Sequence, residues 1–249
     1  YFTRVQYNYK QRYLFSAVLR RDGSSNFGPR NKFGYFPSAS LGWVVSDEAF
    51  YGTSDVLDFL KLRASYGILG NDRIGAFGYV STLNAEGTYV FNNELVYGVA
   101  AGQLSNPEIK WERQKTFDVG FDARLFNSAI DLTVDYFKRR TDDLLLIPQV
   151  SGILGVSAPG AGAPIVNAGS VENSGLEFSL SYSKSFNDDA GFNLSYNFTT
   201  LKNEVIAVGN ESGFIPGGSF GFGQEAPARM EAGFPIGYFY GLQTNGIFQ

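Results

Sequence analysis

From Phe192 to Thr199 every second residue is apolar: Phe192, Leu194, Tyr196 and Phe198 fall on one side of an extended chain, and Asn193, Ser195, Asn197 and Thr199 on the other. The segment before it obeys the same rule, with Leu176, Phe178, Leu180 and Tyr182 alternating with Glu177, Ser179, Ser181 and Ser183. Asn187-Asp188-Asp189 between them has turn chemistry, so the pair predicts a hairpin. A second hairpin sets Phe117, Val119, Phe121, Ala123 and Leu125 against Asp118, Gly120, Asp122 and Arg124. After the tight turn Asn127-Ser128 it continues with Ile130, Leu132, Val134 and Tyr136 against Asp131, Thr133 and Asp135. A third hairpin joins a strand ending near Tyr9 to one from Tyr13 to Arg21 through Lys10-Gln11-Arg12. Two more strands run from Tyr35 to Ser46, showing Pro37, Ala39, Leu41, Trp43 and Val45, and from Leu60 to Gly70, showing Leu62, Ala64, Tyr66 and Ile68.

Alternation alone fits both a soluble sandwich, which buries the apolar parity, and a membrane barrel, which turns it to lipid. The connections separate the two. Short ones at 10–12, 127–128 and 187–190 take turns with long ones at 22–34, 71–114, 141–173 and 203–236, and the connection at 47–59 belongs to the short side. Outer-membrane barrels have short periplasmic turns and long extracellular loops, whereas loops of this length are unusual in a compact soluble domain. Tyr13, Trp43, Phe126, Tyr136 and Phe186 lie near strand ends, where amphipathic rings favour the headgroup level of a membrane. The expected fold is therefore all-β: a partial transmembrane antiparallel β-barrel with long extracellular loops. The slightly negative mean hydropathy does not oppose this, because alternation hides the membrane face from any averaging window. No apolar run approaches the roughly 18 residues of a spanning helix.

Composition removes most other classes. With no cysteine and no histidine in 249 residues, disulfide frameworks, His or Cys metal sites, Cys nucleophiles and Ser-His-Asp arrangements are closed. A net charge of −4 with both signs dispersed lacks the basic face that a nucleic-acid partner requires. Asp142-Asp143 and Asp188-Asp189 occupy loop and turn positions rather than the opposed geometry of a glycosidase, so no catalytic residue is assigned. The triplets beginning at Asn193, Asn197 and Asn210 match a glycosylation pattern by chance, the first two lying within a strand. The Gly/Ala/Pro-rich stretch from Gly152 to Gly169 lacks phosphate-loop spacing and reads as a mobile extracellular loop. The chain opens at Tyr1 inside a strand pattern without the features of a signal peptide, as expected of an internal piece of a longer protein.

The run Arg20-Arg21-Asp22-Gly23-Ser24-Ser25-Asn26-Phe27-Gly28, followed by Gly34-Tyr35-Phe36-Pro37-Ser38, resembles the barrel domain of SusC/RagA-type TonB-dependent outer-membrane transporters of the Bacteroidetes. The same order of segments continues with Leu60-Lys61-Leu62-Arg63-Ala64-Ser65-Tyr66-Gly67 and Gly70-Asn71, then Asn106-Pro107-Glu108-Ile109-Lys110-Trp111-Glu112, then Asp135-Tyr136-Phe137 with Leu144-Leu145. Asn173-Ser174-Gly175-Leu176-Glu177, Gly237-Tyr238-Phe239-Tyr240-Gly241 and Asn245-Gly246-Ile247-Phe248 extend it over essentially the whole chain. The resemblance implies a plugged barrel of about 22 strands, of which residues 1–249 would supply roughly eight or nine and could not close alone. The plug, the TonB-contacting segment and the final strands would lie outside this chain. It further implies active import of an oligosaccharide or peptide across the outer membrane, with outer-membrane lipid, a SusD-like surface lipoprotein and, through the absent N-terminal region, the TonB-ExbB-ExbD complex as partners. No cofactor or metal is implied. A passive porin and a soluble carbohydrate-binding sandwich are the competing readings.

Parity assigns Lys61, Arg63, Asp118, Asp122, Arg124, Asp131 and Asp135 to the lumen or plug side, where opposite charges would pair across strands, as would Arg139. Asp22-Gly23-Ser24-Ser25 reads as a strand exit. In the long loops Tyr79, Tyr89, Phe91, Tyr97, Trp111, Phe214, Phe220 and Phe222 are candidates to stack on substrate or pack against a lid protein.

Overall fold

A computed structural model describes residues 1–52, 54–148, 153, 161–187, 189–210, 212–218, 220–221, 225–243 and 245–246. Phe222, Asp188, Glu211, Ile247, Phe248 and most of the stretch 152–160 lie outside the described residues. The long strands are β1 (Phe2–Tyr9), β2 (Tyr13–Gly23), β3 (Phe33–Val44), β4 (Leu57–Asn71), β7 (Glu112–Leu125), β8 (Ile130–Asp142), β11 (Ser170–Ser185), β12 (Gly191–Thr199) and β13 (Lys202–Ala207). Shorter ones sit in the long connections: β5 (Leu83–Phe91), β6 (Glu94–Ala101), β9 (Leu145–Leu146), β10 (Val166–Asn167), β14 (Phe214–Pro216), β15 (Ala228–Glu231) and β16 (Tyr238–Phe239).

The main sheet runs β1-β2-β3-β4-β7-β8-β11-β12, with β13 also on β11, and every pairing is antiparallel. This is an up-and-down meander. β1 and β12 do not pair with each other, so the sheet stays open among the described residues. β12 and β13 act as one long strand: Glu177 pairs with Thr199 and Ser174 with Lys202 without a slip. At the join Thr200 N–H donates to the Leu176 carbonyl at 2.9 Å, while the Thr200 hydroxyl accepts from Leu176 N–H at 2.9 Å. The connection expected over 203–236 is thereby shortened, since the strand reaches Ala207, and the small sheet β14-β15-β16 fills part of the rest. Likewise 71–114 contains the β5-β6 hairpin, whose Asn92-Asn93 turn takes positive φ at both residues (50° and 64°), as a two-residue hairpin requires.

Register turns sequence parity into two faces. Lys61, Asp122 and Thr133 fall in one lateral row, Arg63, Gly120 and Asp135 in the next, and Ser65 with Asp118 in a third, all on a polar face. The opposite face carries Leu41, Leu62, Val119, Tyr136, Leu176 and Tyr196, all exposed. Nothing among the described residues packs over it. A sandwich would bury this face under a second sheet, and an uncovered apolar face of this extent is not that of a soluble monomer.

Rings close off the short-turn end of the apolar face. Tyr9 stacks on Tyr7 and Tyr13 at 6.5 and 6.3 Å, Phe186 on Phe192 at 5.8 Å, and Trp43 meets Phe50 edge-on at 6.4 Å. Behind them, Glu48 accepts from the Trp43 indole N–H at 3.1 Å and pairs with Arg12 at 3.4 Å. Hydrogen bonds from Tyr13 and Trp43, and then the Arg12 charge, hold the Glu48 carboxyl below the ordinary glutamate range.

Candidate functional site

Three features could carry function, and the first is the charged patch on the polar face. Arg63 lies between two strands' carboxylates: its Nε and Nη2 donate to Asp122 at 2.9 and 3.0 Å, and Nη2 also reaches Asp135 at 3.1 Å. Thr133 donates its hydroxyl to Asp122 at 3.2 Å. The approach needs Gly120, because a Cβ there would lie 1.9 Å from an Asp135 carboxylate oxygen and 2.5 Å from the Val134 carbonyl oxygen. Further along the face Arg124 pairs with Asp131 at 3.3 Å. Lys61 and Asp118 border a shallow concavity of about 550 Å³ that also touches Gln6, Asn8, Ser16 and Ser40. Asp122, Asp131 and Asp135 are tied to cations rather than held as a free acid–base pair, and no group of three or more metal-ligating side chains occurs among the described residues. The arrangement suits a wet wall that contacts another polar body.

The second feature is a small core at the long-loop end. Phe27, Phe36, Ile109, Trp111 and Ile165 pack together with Ile68, Ile74, Tyr79 and Leu145 around them. Asparagine side chains stitch these loops to one another. Asn31 donates to the Glu108 and Ile109 carbonyls at 3.2 and 3.1 Å, Asn106 to Ile165 at 3.0 Å, and Asn167 to Lys110 and Asp143 at 2.8 and 2.9 Å. The segments Asn26-Phe27 and Asn106 to Trp111 are therefore structural: each pairs an apolar anchor with an amide that satisfies a neighbouring loop's backbone. Gly175 is structural too, since a Cβ there would meet the Thr200 carbonyl oxygen at 1.9 Å.

Trp111 must be corrected as a ring free to meet a ligand. It is 7% exposed, its centroid lies 5.0 Å from Phe27 and 5.3 Å from Phe36, and its indole N–H donates to the Asn31 carbonyl at 3.1 Å. Apart from Ile109, its neighbours in that core come from the connection before β3 and β3 itself (Phe27, Phe36) and from the segment before β10 (Ile165), all more than 50 residues away in sequence, which no local pattern reveals. Tyr79 packs against the same core. Phe214 has the Arg229 guanidinium 4.2 Å over its ring, and Phe220 is 86% exposed.

The third feature is the β5-β6 hairpin. Tyr89, Phe91 and Tyr97 are 72%, 62% and 74% exposed, and Val90, Leu95, Val96 and Val99 are exposed with them. Tyr89 pairs with Val96 and Val90 with Leu95, so both faces of this two-stranded ribbon are apolar. An isolated hairpin is marginal in water, and one greasy on both sides is made to be covered. The sequence signal was available in Asn92-Asn93 between two short apolar runs. Glu48 had no such signal, because its partners come from β2 and β3.

A family model described as TonB dependent receptor-like, beta-barrel, matches residues 1–245. TonB-dependent receptor P39 of Formosa agariphila is 37% identical over 251 residues, covering 100% of this chain and 22% of that protein. TonB-dependent receptor SusC of Bacteroides thetaiotaomicron is 36% identical over 217 residues, 84% of this chain and 21% of that one. Among solved structures, the RagAB peptide importer in its closed-closed state superposes with a TM-score of 0.81 at 25% identity over 96% of this chain and 24% of its own. The chain thus spans less than a quarter of the length of each of these relatives.

Proposed function

The chain belongs to the TonB-dependent receptor β-barrel family, and from this we propose that residues 1–249 form part of the wall of an outer-membrane receptor that actively imports a peptide or oligosaccharide. The family is one of receptors and transporters, not of enzymes. The observation that carries the reading is the open meander with one uncovered apolar face and one charged face. On β7 the apolar parity runs from Leu125 to Phe117. Nine residues at roughly 3.3 Å, tilted as barrel strands are, rise about 23 Å, close to the apolar band of an outer-membrane barrel. In that frame the aromatic end with short turns faces the periplasm, and the loop core and β5-β6 face outward.

The remaining strands and a plug would come from the rest of the protein, and the ionic face with Lys61, Arg63, Asp118, Asp122, Arg124, Asp131 and Asp135 would look on to that plug. The β5-β6 hairpin supports a surface lipoprotein lid of the SusD kind as the covering partner, with Tyr89, Phe91 and Tyr97 as its contacts. Phe214, Phe220 and Phe222, from the connection after β13, stand as further ligand candidates. A peptide cargo is supported by the solved relatives being a peptide importer, and an oligosaccharide fits aromatic loops equally well.

The test is uptake of labelled peptides and oligosaccharides by cells with and without the full-length receptor, before and after collapse of the proton gradient. Receptor-dependent uptake that stops on collapse is expected. Uptake that continues unchanged identifies a passive pore and overturns the reading.

A further inference from the structure

Above Tyr136 on β8 and Leu176 on β11 the apolar face changes character within one residue pair. Register places Phe117, Lys138, Ser174 and Lys202 in one row, Lys115, Arg140, Glu172 and Glu204 in the next, and Arg113 with Asp142 beyond. Five cations (Arg113, Lys115, Lys138, Arg140 and Lys202) share this shelf with three carboxylates (Asp142, Glu172 and Glu204), a surplus of two positive charges. Lys115 and Arg140 each hold Asp142 at 2.8 Å, Lys138 holds Glu172 at 2.8 Å, and Lys202 holds Glu204 at 2.6 Å. The carboxylates lie beneath: the side chains of Asp142 and Glu172 are each 19% exposed, against 43%, 47% and 44% for Lys115, Lys138 and Arg140. They space the cations while the cationic heads look outward. At the opposite end of β7, β8, β11 and β12 the same face carries Lys184 as its one charge among the described residues.

The shelf therefore belongs to the lipid-facing surface and to the long-loop end alone. A ligand that lies on it also lies on the apolar rows directly below, so its chemistry is an anion joined to acyl chains. We propose that this shelf, on the membrane reading given above, binds the phosphate-bearing headgroup of an acylated glycolipid in the outer leaflet, with the acyl chains against Tyr136, Val119 and Leu176. Lys138 and Lys202 meet the phosphate at the membrane border, and Lys115, Arg140 and Arg113 extend the site upward. Charge-assisted bonds to phosphate suit both residue types, Arg as a fork and Lys as a point charge.

The test uses the full-length receptor in nanodiscs of a zwitterionic phospholipid doped with lipid A or with phosphatase-treated lipid A, the retained glycolipid being counted by native mass spectrometry. Each basic residue near an anionic headgroup contributes about fivefold in affinity. Wild type is expected to retain the phosphorylated form at least about tenfold over the treated one, a preference that Lys138→Gln, Arg140→Gln and Lys202→Gln together abolish. Lys184→Gln, at the other membrane border, leaves it intact. Equal retention of the two lipids by wild type overturns the proposal without recourse to any variant. Displacement of lipid A by millimolar inorganic phosphate would make this a free-anion site and also overturns it. Failure of the receptor to enter nanodiscs, with gel migration unchanged on boiling, overturns the membrane reading beneath it.

Discussion

Gly120 shows how much of the polar face depends on single atoms. The Asp135 carboxylate lies over the space that a side chain at 120 would fill, and Arg63 closes over both. Gly120→Ala must displace either the ion pair or the β8 backbone, and overpacking of this kind costs about 1–3 kcal/mol. Lowered thermal stability of the full-length receptor, read by heat-modifiable gel migration, is the expected result; Gly218→Ala, with nothing within 4 Å of the added Cβ, should change nothing measurable. Glu48 makes a second prediction at this scale. Its folded pKa is depressed by the Tyr13 and Trp43 hydrogen bonds and then by Arg12, so the stability it confers is complete above its unfolded value near 4.5 and is lost as pH falls through the lower folded value. The difference in unfolding temperature between wild type and Glu48→Gln should hold at neutral pH and shrink in acid. A difference that stays constant down to about pH 3 would sink this account.

At the scale of the strand, what matters is which face a position takes. Val134 lies mid-band on the apolar face of β8, while Ser179 lies on the polar face of β11 beside Thr133. An arginine on the lipid face at the bilayer midplane costs about 2–4 kcal/mol, whereas a polar wall tolerates it. Val134→Arg should therefore prevent assembly or lower the unfolding temperature in detergent, and Ser179→Arg should leave both near wild type. Equal effects would show that the two faces are not solvated differently. The β5-β6 hairpin invites a different measurement. Tyr89→Asp with Tyr97→Asp should weaken co-purification of a surface lipoprotein with the full-length receptor at least tenfold, the loss expected of two aromatic anchors at an interface, without altering barrel migration. Undiminished co-purification would remove the hairpin from the lid contact.

For the whole molecule the decisive fact is that the outer edges of β1 and β12 carry no partner strand among the described residues. Open edges and an uncovered apolar face cannot be stable in water, and in a bilayer unpaired backbone groups are equally costly. Residues 1–249 expressed alone should pellet and show no band that shifts on boiling, while the full-length receptor should extract only with detergent and show the shift. A soluble monomer of the piece would contradict the barrel assignment outright.

The two faces were legible in the amino-acid order, because a strand places successive side chains on opposite sides whatever its neighbours are. That alternation was enough to separate Leu176, Phe178 and Leu180 from Glu177, Ser179 and Ser181, and the rhythm of short and long connections told barrel from sandwich. What it could not show is anything that depends on which distant segments meet. Trp111 read as a loop ring and is a core residue, because Phe27, Phe36 and Ile165 close on it from three other parts of the chain. The alternating segment read as ending at Thr199 with a long connection from 203, yet register with β11 carries the strand through Thr200-Leu201 to Ala207. Only tertiary structure decided that Lys115, Lys138, Arg140 and Lys202, scattered over three strands, stand side by side, since lateral neighbours in a sheet are chosen by pairing and not by sequence distance.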